Sequence, residues 1–161
     1  MSTAGHIEFT TASEAETIAL GERLGSLLRA GDVVLLEGDL GAGKTRFVRG
    51  LVRGLGHDER LVSSPTYVLA HEYATNPASP ALIHVDAYRV RSDDELEGLG
   101  LDHAMAGGAA IAVEWASRLG DALGVVALSI EIEHAGGDGR SVTFRWKAVS
   151  GSDWASRLES L

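Results

Sequence analysis

The sequence predicts an α/β domain in which a mixed sheet lies between layers of helices. Three observations predict it. Gly38-Asp39-Leu40-Gly41-Ala42-Gly43-Lys44-Thr45 matches the phosphate-cradling pattern G-x-x-x-x-G-K-[ST] without a gap. An apolar run, Val33-Val34-Leu35-Leu36, precedes it, and a helical pattern carrying Phe47, Val48, Leu51, Val52 and Leu55 follows. Strand, glycine turn and helix form the unit of nucleotide-phosphate binding. Two further strand candidates flank a short loop at residues 75–80, which holds Asn76-Pro77 and Pro80. So short a connection implies an antiparallel pair, and hence a mixed sheet. Together these describe a three-layer, P-loop NTPase-like domain.

The elements follow in order. Residues 7–10 are a short strand. Ser13, with Glu16 three residues on, forms a capping box that opens a helix over 14–29, and Gly31-Asp32 ends it. Strand 33–37, the glycine loop and helix 44–55 come next, with Gly56 as the C-terminal cap. Arg46, Arg49 and Arg53 lie mainly off the apolar face of that helix. A solvated basic face is favoured there over a partner-docking surface. Strands are expected at 67–73 and 81–86. Ser92 caps a short acidic helix containing Asp93, Asp94, Glu95 and Glu97, and a second short helix covers 101–105. A buried strand is expected at 111–114. Alternating runs at 125–133 and 140–149, joined by Gly136-Gly137-Asp138-Gly139, read as a hairpin. A terminal helix spans 152–161.

Composition sets bounds on the chemistry. A length of 161 residues fits one domain, taken here as 1–161, with enough chain to bury a core. The chain has no cysteine, which excludes disulfides, thiolate metal sites and a cysteine nucleophile, and fits a reducing, cytoplasmic setting. The start of the sequence has no signal-peptide pattern, and no apolar run approaches the ~20 residues of a membrane span. The net charge of −9 argues against a broad nucleic-acid surface, so any nucleic acid is expected to be held by a partner.

The loop's chemistry comes from its backbone. Glycines let main-chain N–H groups converge on an anion, and the following helix start adds partial positive charge. Asp39, Leu40, Gly41, Ala42 and Gly43 supply that backbone, Lys44 a point charge for the terminal phosphates, and the Thr45 hydroxyl a ligand for Mg²⁺. The competing reading is an ordinary glycine-rich turn. With only two lysines in the chain, Lys44 and Lys147, a chance Gly-Lys-Thr is improbable. A lysine in a helix's first turn also opposes the helix dipole unless an anion is present.

Two strand ends offer the carboxylates that such a site needs. Ile83-His84-Val85-Asp86 and Ala112-Val113-Glu114-Trp115 put Asp86 and Glu114 where α/β sheets gather their ligands. Either could instead be a solvated strand terminus. Trp115 packs beside the nucleotide or serves as an ordinary aromatic. Thr66 falls where many such enzymes keep a segment that senses the terminal phosphate, or is a turn residue. Arg89 and Arg91 either steady transferred charge or sit on the surface. The six histidines show no metal-ligand spacing.

The phosphate loop with Arg46-Phe47-Val48-Arg49-Gly50-Leu51 resembles the TsaE (YjeE) family. So do Ser64-Pro65-Thr66-Tyr67, His84-Val85-Asp86-Ala87-Tyr88-Arg89, Glu95, Leu99-Gly100-Leu101 and Val113-Glu114-Trp115. The resemblance covers roughly residues 13–120. It implies a small bacterial ATPase needed to make threonylcarbamoyladenosine (t6A) in tRNAs that read codons beginning with A. It implies two partners, a TsaD-like transferase and a TsaB-like protein, with ATP and Mg²⁺ as cofactors. By position, Lys44 binds phosphate, Thr45 and Glu114 hold Mg²⁺, Asp86 is the Walker-B-like acid, Thr66 belongs to a switch and Trp115 lies beside the nucleotide. The family loop usually ends Lys-Thr-Thr, whereas Arg46 follows Thr45 here.

Other readings make different predictions. A GTPase commonly reads its base with Asn-Lys-x-Asp and orients water with glutamine. This chain's single asparagine, Asn76, precedes Pro77, and it has no glutamine. A small-molecule kinase would transfer phosphate to an added metabolite. A nucleotide-gated assembly adaptor would need ATP binding but little hydrolysis.

Overall fold

The computed structural model describes residues 4–63, 69–119 and 126–161. The strands are β1 (Gly5–Thr11), β2 (Val33–Glu37), β3 (Ala70–Tyr73), β4 (Leu82–Asp86), β5 (Ala110–Glu114), β6 (Ala127–His134) and β7 (Arg140–Trp146). The helices are α1 (Glu14–Gly25), α2 (Lys44–Gly54), α3 (Asp93–Gly98), α4 (Leu101–Ala106) and α5 (Trp154–Leu158). Short 3₁₀ turns at Glu59–Leu61, Ala87–Arg89 and Ala116–Leu119 connect them.

All seven strands form one sheet in the order β1-β7-β6-β2-β5-β4-β3. β2 pairs in parallel with β5 and β6, and β4 pairs in parallel with β5. β3 runs antiparallel to β4, and β7 runs antiparallel to both β6 and β1. The sheet is mixed as expected, with parallel strands at its centre.

Alternation along the central strands sorts side chains onto two faces. Val34, Leu36, Ala110, Ala112, Leu82, Leu128 and Ile130 join the core cluster that includes Leu20 and Leu24 of α1, Phe47 and Leu51 of α2, and Trp154 and Leu158 of α5. Val33, Ile111, Val113 and Val85 join the opposite cluster with Leu101 of α4 and Ala116, and Leu96 of α3 packs against it. This is the expected three-layer arrangement.

α1 and α2 approach backbone to backbone. A Cβ added at Gly50 would lie 2.2 Å from the Ile18 carbonyl, and one at Gly54 would lie 2.2 Å from that of Glu22. Gly21 and Gly25 leave the same clearance for the carbonyls of Phe47 and Leu51. This crossing packs α2, the helix that follows the glycine loop, tightly against α1.

Several boundaries differ from the sequence expectation. α1 ends at Gly25 rather than near residue 29. Past Ser26 the chain tightens, with Leu27 and Leu28 N–H bonding the carbonyls of Leu24 and Gly25, the i→i+3 pattern of a closing turn. β7 stops at Trp146 and α5 covers only Trp154–Leu158. The caps follow expectation. Ser13 Oγ accepts from Glu16 N–H and Ser92 Oγ from Glu95 N–H. Gly56, at φ +77°, closes α2, with Gly56 N–H on Arg53 O and His57 N–H on Val52 O. The expected start of β3 lies outside the described residues.

Candidate functional site

The loop between β2 and α2 is shaped by its glycines. Gly38, at φ +153°, could not carry a side chain, because a Cβ there would sit 2.4 Å from Ile132 O. Gly43, at φ +111°, is the N-cap of α2 and provides no side-chain cap; no acidic residue occupies the first turn. α1 and α3, by contrast, begin under serine caps. The N–H groups that open α2 are therefore left for an external acceptor.

Lys44 is buried. Its Nζ donates to Gly38 O at 2.6 Å and to Asp39 O at 3.0 Å, and lies 4.1 Å from the centroid of the Trp115 ring. Among the described residues no carboxylate lies within ion-pair distance of it. Burial lowers its pKa, while the charges of Glu114, Glu37, Asp39 and Asp86 oppose that shift. A desolvated ammonium held by two carbonyls and a ring face is under-compensated, which fits a phosphate ligand.

β4 and β5 place the acidic groups by register. Asp86 pairs with Glu114 at the ends of these parallel strands. Both are buried, and they share the sheet face that packs on α2. The Thr45 hydroxyl, in the first turn of α2, donates to Glu114 Oε1 at 3.1 Å. A hydroxyl and a carboxylate side by side are the donors a hard divalent cation takes. Among the described residues no group of three or more His, Asp or Glu side chains could enclose a metal by themselves. A Mg²⁺ ion held by Thr45 and Glu114 would therefore complete its shell with phosphate oxygens and water, its ordinary habit. Asp86 accepts from Tyr88 N–H at 3.0 Å, and Arg89 Nε lies 3.5 Å from its other oxygen. Burial raises the Asp86 pKa, and Glu114 adds to the shift; the Tyr88 N–H, Arg89 and His84 oppose it.

A cavity of about 600 Å³ joins these groups. Leu40, Gly41, Gly43, Lys44, Thr45, Asp86, Glu114 and Trp115 line it, as do Arg46, Arg49 and Ser63. A second cavity of about 440 Å³ adjoins Gly38, Asp39, Ala42 and the end of β6; Trp115 lines both. Trp115 adopts φ +58°, the only positive φ of a non-glycine residue among those described. A bulky residue rarely takes that conformation. Ser117, just beyond it, donates its N–H and hydroxyl to the Glu37 carboxylate. The turn after β5 is thereby tied to the end of β2, with the indole over Lys44.

A family model described as "Threonylcarbamoyl adenosine biosynthesis protein TsaE" matches residues 11–142. The chain belongs to the TsaE family. It is 41% identical over 138 residues to tRNA threonylcarbamoyladenosine biosynthesis protein TsaE of Bacillus subtilis, covering 86% of this chain and 84% of that protein. It is 46% identical over 120 residues to the protein of the same name from Streptomyces coelicolor, covering 74% and 80%. The crystal structure of Bacillus subtilis YdiB superposes with a TM-score of 0.76 at 31% identity, covering 99% of this chain and 95% of that one.

In this TsaE-family chain the structure brings Lys44, Thr45, Asp86, Glu114 and Trp115 to one cavity. Thr66 lies outside the described residues. The arginines of α2 are not a uniformly solvated face. Arg46 pairs with Glu14, and Arg53 pairs with Glu22 and Glu59, while Arg49 lines the cavity and donates to Val62 O at 3.4 Å. Arg89 reaches Asp86, whereas Arg91 is exposed.

Two residues at the site were given no role by the sequence. Arg140 is buried at the start of β7. Its guanidinium donates to Ala42 O at 2.6 Å and Gly41 O at 3.4 Å, and to Gly139 O and Gly137 O in the adjoining turn. Holding the Ala42 carbonyl behind the loop turns the N–H of the same planar peptide, that of Gly43, the opposite way. His84 is fully buried on β4, its Nε2 2.6 Å from Glu114 Oε2. The signal for His84 was its place between Leu82 and Asp86 on one face of β4. A histidine there must be partnered in the core. For Arg140, an arginine after a glycine turn gave no signal.

Proposed function

We propose that this chain binds Mg·ATP in the cavity beside the phosphate loop and hydrolyses it. In this reading, hydrolysis supports a TsaD-like transferase and a TsaB-like protein that form t6A on tRNA. The observation that carries the nucleotide reading is Lys44: a buried ammonium at the uncapped start of α2, with no ion-pair partner among the described residues and beside the Thr45–Glu114 pair. Family membership supports the t6A assignment, since the relatives are named for that biosynthesis.

Each residue has a physical task in this scheme. The loop N–H groups and Lys44 bind and orient the phosphates. Thr45 and Glu114 hold Mg²⁺, which supplies charge neutralisation of the phosphate oxygens. Asp86, its carboxylate fixed by Tyr88 N–H and adjacent to Glu114, orients the attacking water. Trp115 covers Lys44 and limits water around it. No helix among the described residues is long and apolar enough to cross a membrane.

The pathway is tested by nucleoside analysis of tRNA from cells depleted of this protein. Loss of t6A, restored by the parent gene and not by Lys44→Ala, is the expected result. Unchanged t6A on depletion would overturn the pathway assignment.

A further inference from the structure

The Glu114 carboxylate is gripped on both oxygens. Thr45 holds Oε1 from α2, and His84 holds Oε2 from the neighbouring strand β4. The His84 side chain is fully buried and Glu114 nearly so, so the bond between them is not shared with solvent. A carboxylate oxygen accepts, so Nε2 is the nitrogen that carries the proton. The other ring nitrogen, Nδ1, lies 3.5 Å from the Tyr73 hydroxyl, at the long end of the hydrogen-bond range. Tyr73 is itself buried on β3. With Nε2–H donating to Glu114 Oε2, a neutral imidazole leaves Nδ1 as the acceptor for the Tyr73 O–H. Each bond sets the orientation of the next group.

We infer that His84 is a positioning residue for the metal-binding carboxylate: with Tyr73 fixing its tautomer, it turns Glu114 so that Oε1 faces Thr45 and the cavity. The inference rests on the proposal that Thr45 and Glu114 hold Mg²⁺. Groups that orient a metal ligand from behind are worth about 10–100-fold in metal affinity when removed. The nucleotide's other contacts, to the loop and Lys44, do not pass through His84. Its removal should therefore weaken the metal's contribution and spare the metal-free binding.

The test is titration of a fluorescent ADP analogue into the full chain, in EDTA and in saturating Mg²⁺. The parent should bind more tightly with Mg²⁺. In His84→Leu, which keeps bulk but no donor, affinity in EDTA should stay within about twofold, and the Mg²⁺ gain should fall about tenfold. His84→Gln, which can place an amide N–H near the position of Nε2, should recover most of the gain. If His84→Leu does not fold, Tyr73→Phe takes its place and should reduce the gain in the same selective way. A parental gain in the folded variant, or equal weakening with and without Mg²⁺, would overturn the positioning role alone. No Mg²⁺ gain in the parent chain would overturn the underlying metal assignment as well.

Discussion

The Lys44 ammonium lies over the face of Trp115, 4.1 Å from the ring centroid. The strand end that supplies Glu114 thus also supplies the cover for the cation proposed to bind phosphate. A nucleotide that draws Nζ from the Gly38 and Asp39 carbonyls towards phosphate must alter the environment of this indole. Adding Mg·ADP should change the tryptophan emission, and Trp115→Phe should abolish the change although Trp146 and Trp154 remain. An undiminished response in Trp115→Phe would place the indole away from the nucleotide.

Asp86 is held at a cost to the fold. Its pKa is raised by burial first and by Glu114 next. A raised carboxyl pKa gives stability that is present while the group is protonated and lost as pH rises through the folded-state value. Ionised Asp86 therefore destabilises the nucleotide-free chain near neutrality. Asp86→Asn should unfold at a higher temperature than the parent at about pH 7, and the advantage should vanish near about pH 3, where both states of the parent are protonated. The same variant should lose ATP hydrolysis, the exchange of stability for function expected at such sites. A variant less stable at neutral pH would contradict the sign.

Gly50 lies, like Gly54, where α1 and α2 approach most closely. Alanine would gain ~1 kcal/mol of helix propensity there. Its Cβ would meet Ile18 O at 2.2 Å and the Gly21 Cα at 2.8 Å, and forcing rigid backbones apart costs ~1–3 kcal/mol or more. Urea unfolding should show Gly50→Ala with a lower midpoint and a similar slope. A raised midpoint would show that the helices separate freely.

Binding and hydrolysis should be separable. Lys44→Ala should lose both, since the proposed phosphate contact of the lysine would be made in ground and transition states alike. Asp86→Ala should retain Mg·ATP binding and lose turnover. If complex formation with the TsaD-like and TsaB-like partners survives in Asp86→Ala while t6A synthesis stops, hydrolysis has a task beyond assembly. If synthesis continues at the parental rate, the chain acts as a nucleotide-gated adaptor.

Much of this arrangement was legible in the residues, because its signals are local. The strand–loop–helix unit, the Ser13 and Ser92 caps and the β6–β7 hairpin each depend on neighbours in sequence, and each is present. Asp86 and Glu114 were legible as strand ends, but only the β4–β5 register makes them neighbours. Arg140 reaches a loop 98 positions away, and no local pattern announces such a contact. The close crossing of α1 and α2 was not legible either. Gly21 and Gly25 repeat the four-residue spacing of Gly50 and Gly54, a pairing visible only once the helices are known to cross.

The central claim is that Lys44 and its loop form a Mg·nucleotide site, and calorimetric titration with a slowly hydrolysed ATP analogue in Mg²⁺ tests it most directly. The parent chain should show saturable binding to a single site, and Lys44→Ala, checked as folded by circular dichroism, should bind at least about tenfold more weakly, as expected for the loss of a charge-assisted phosphate contact. No saturable heat in the parent, or equal affinity in the two proteins, would contradict it.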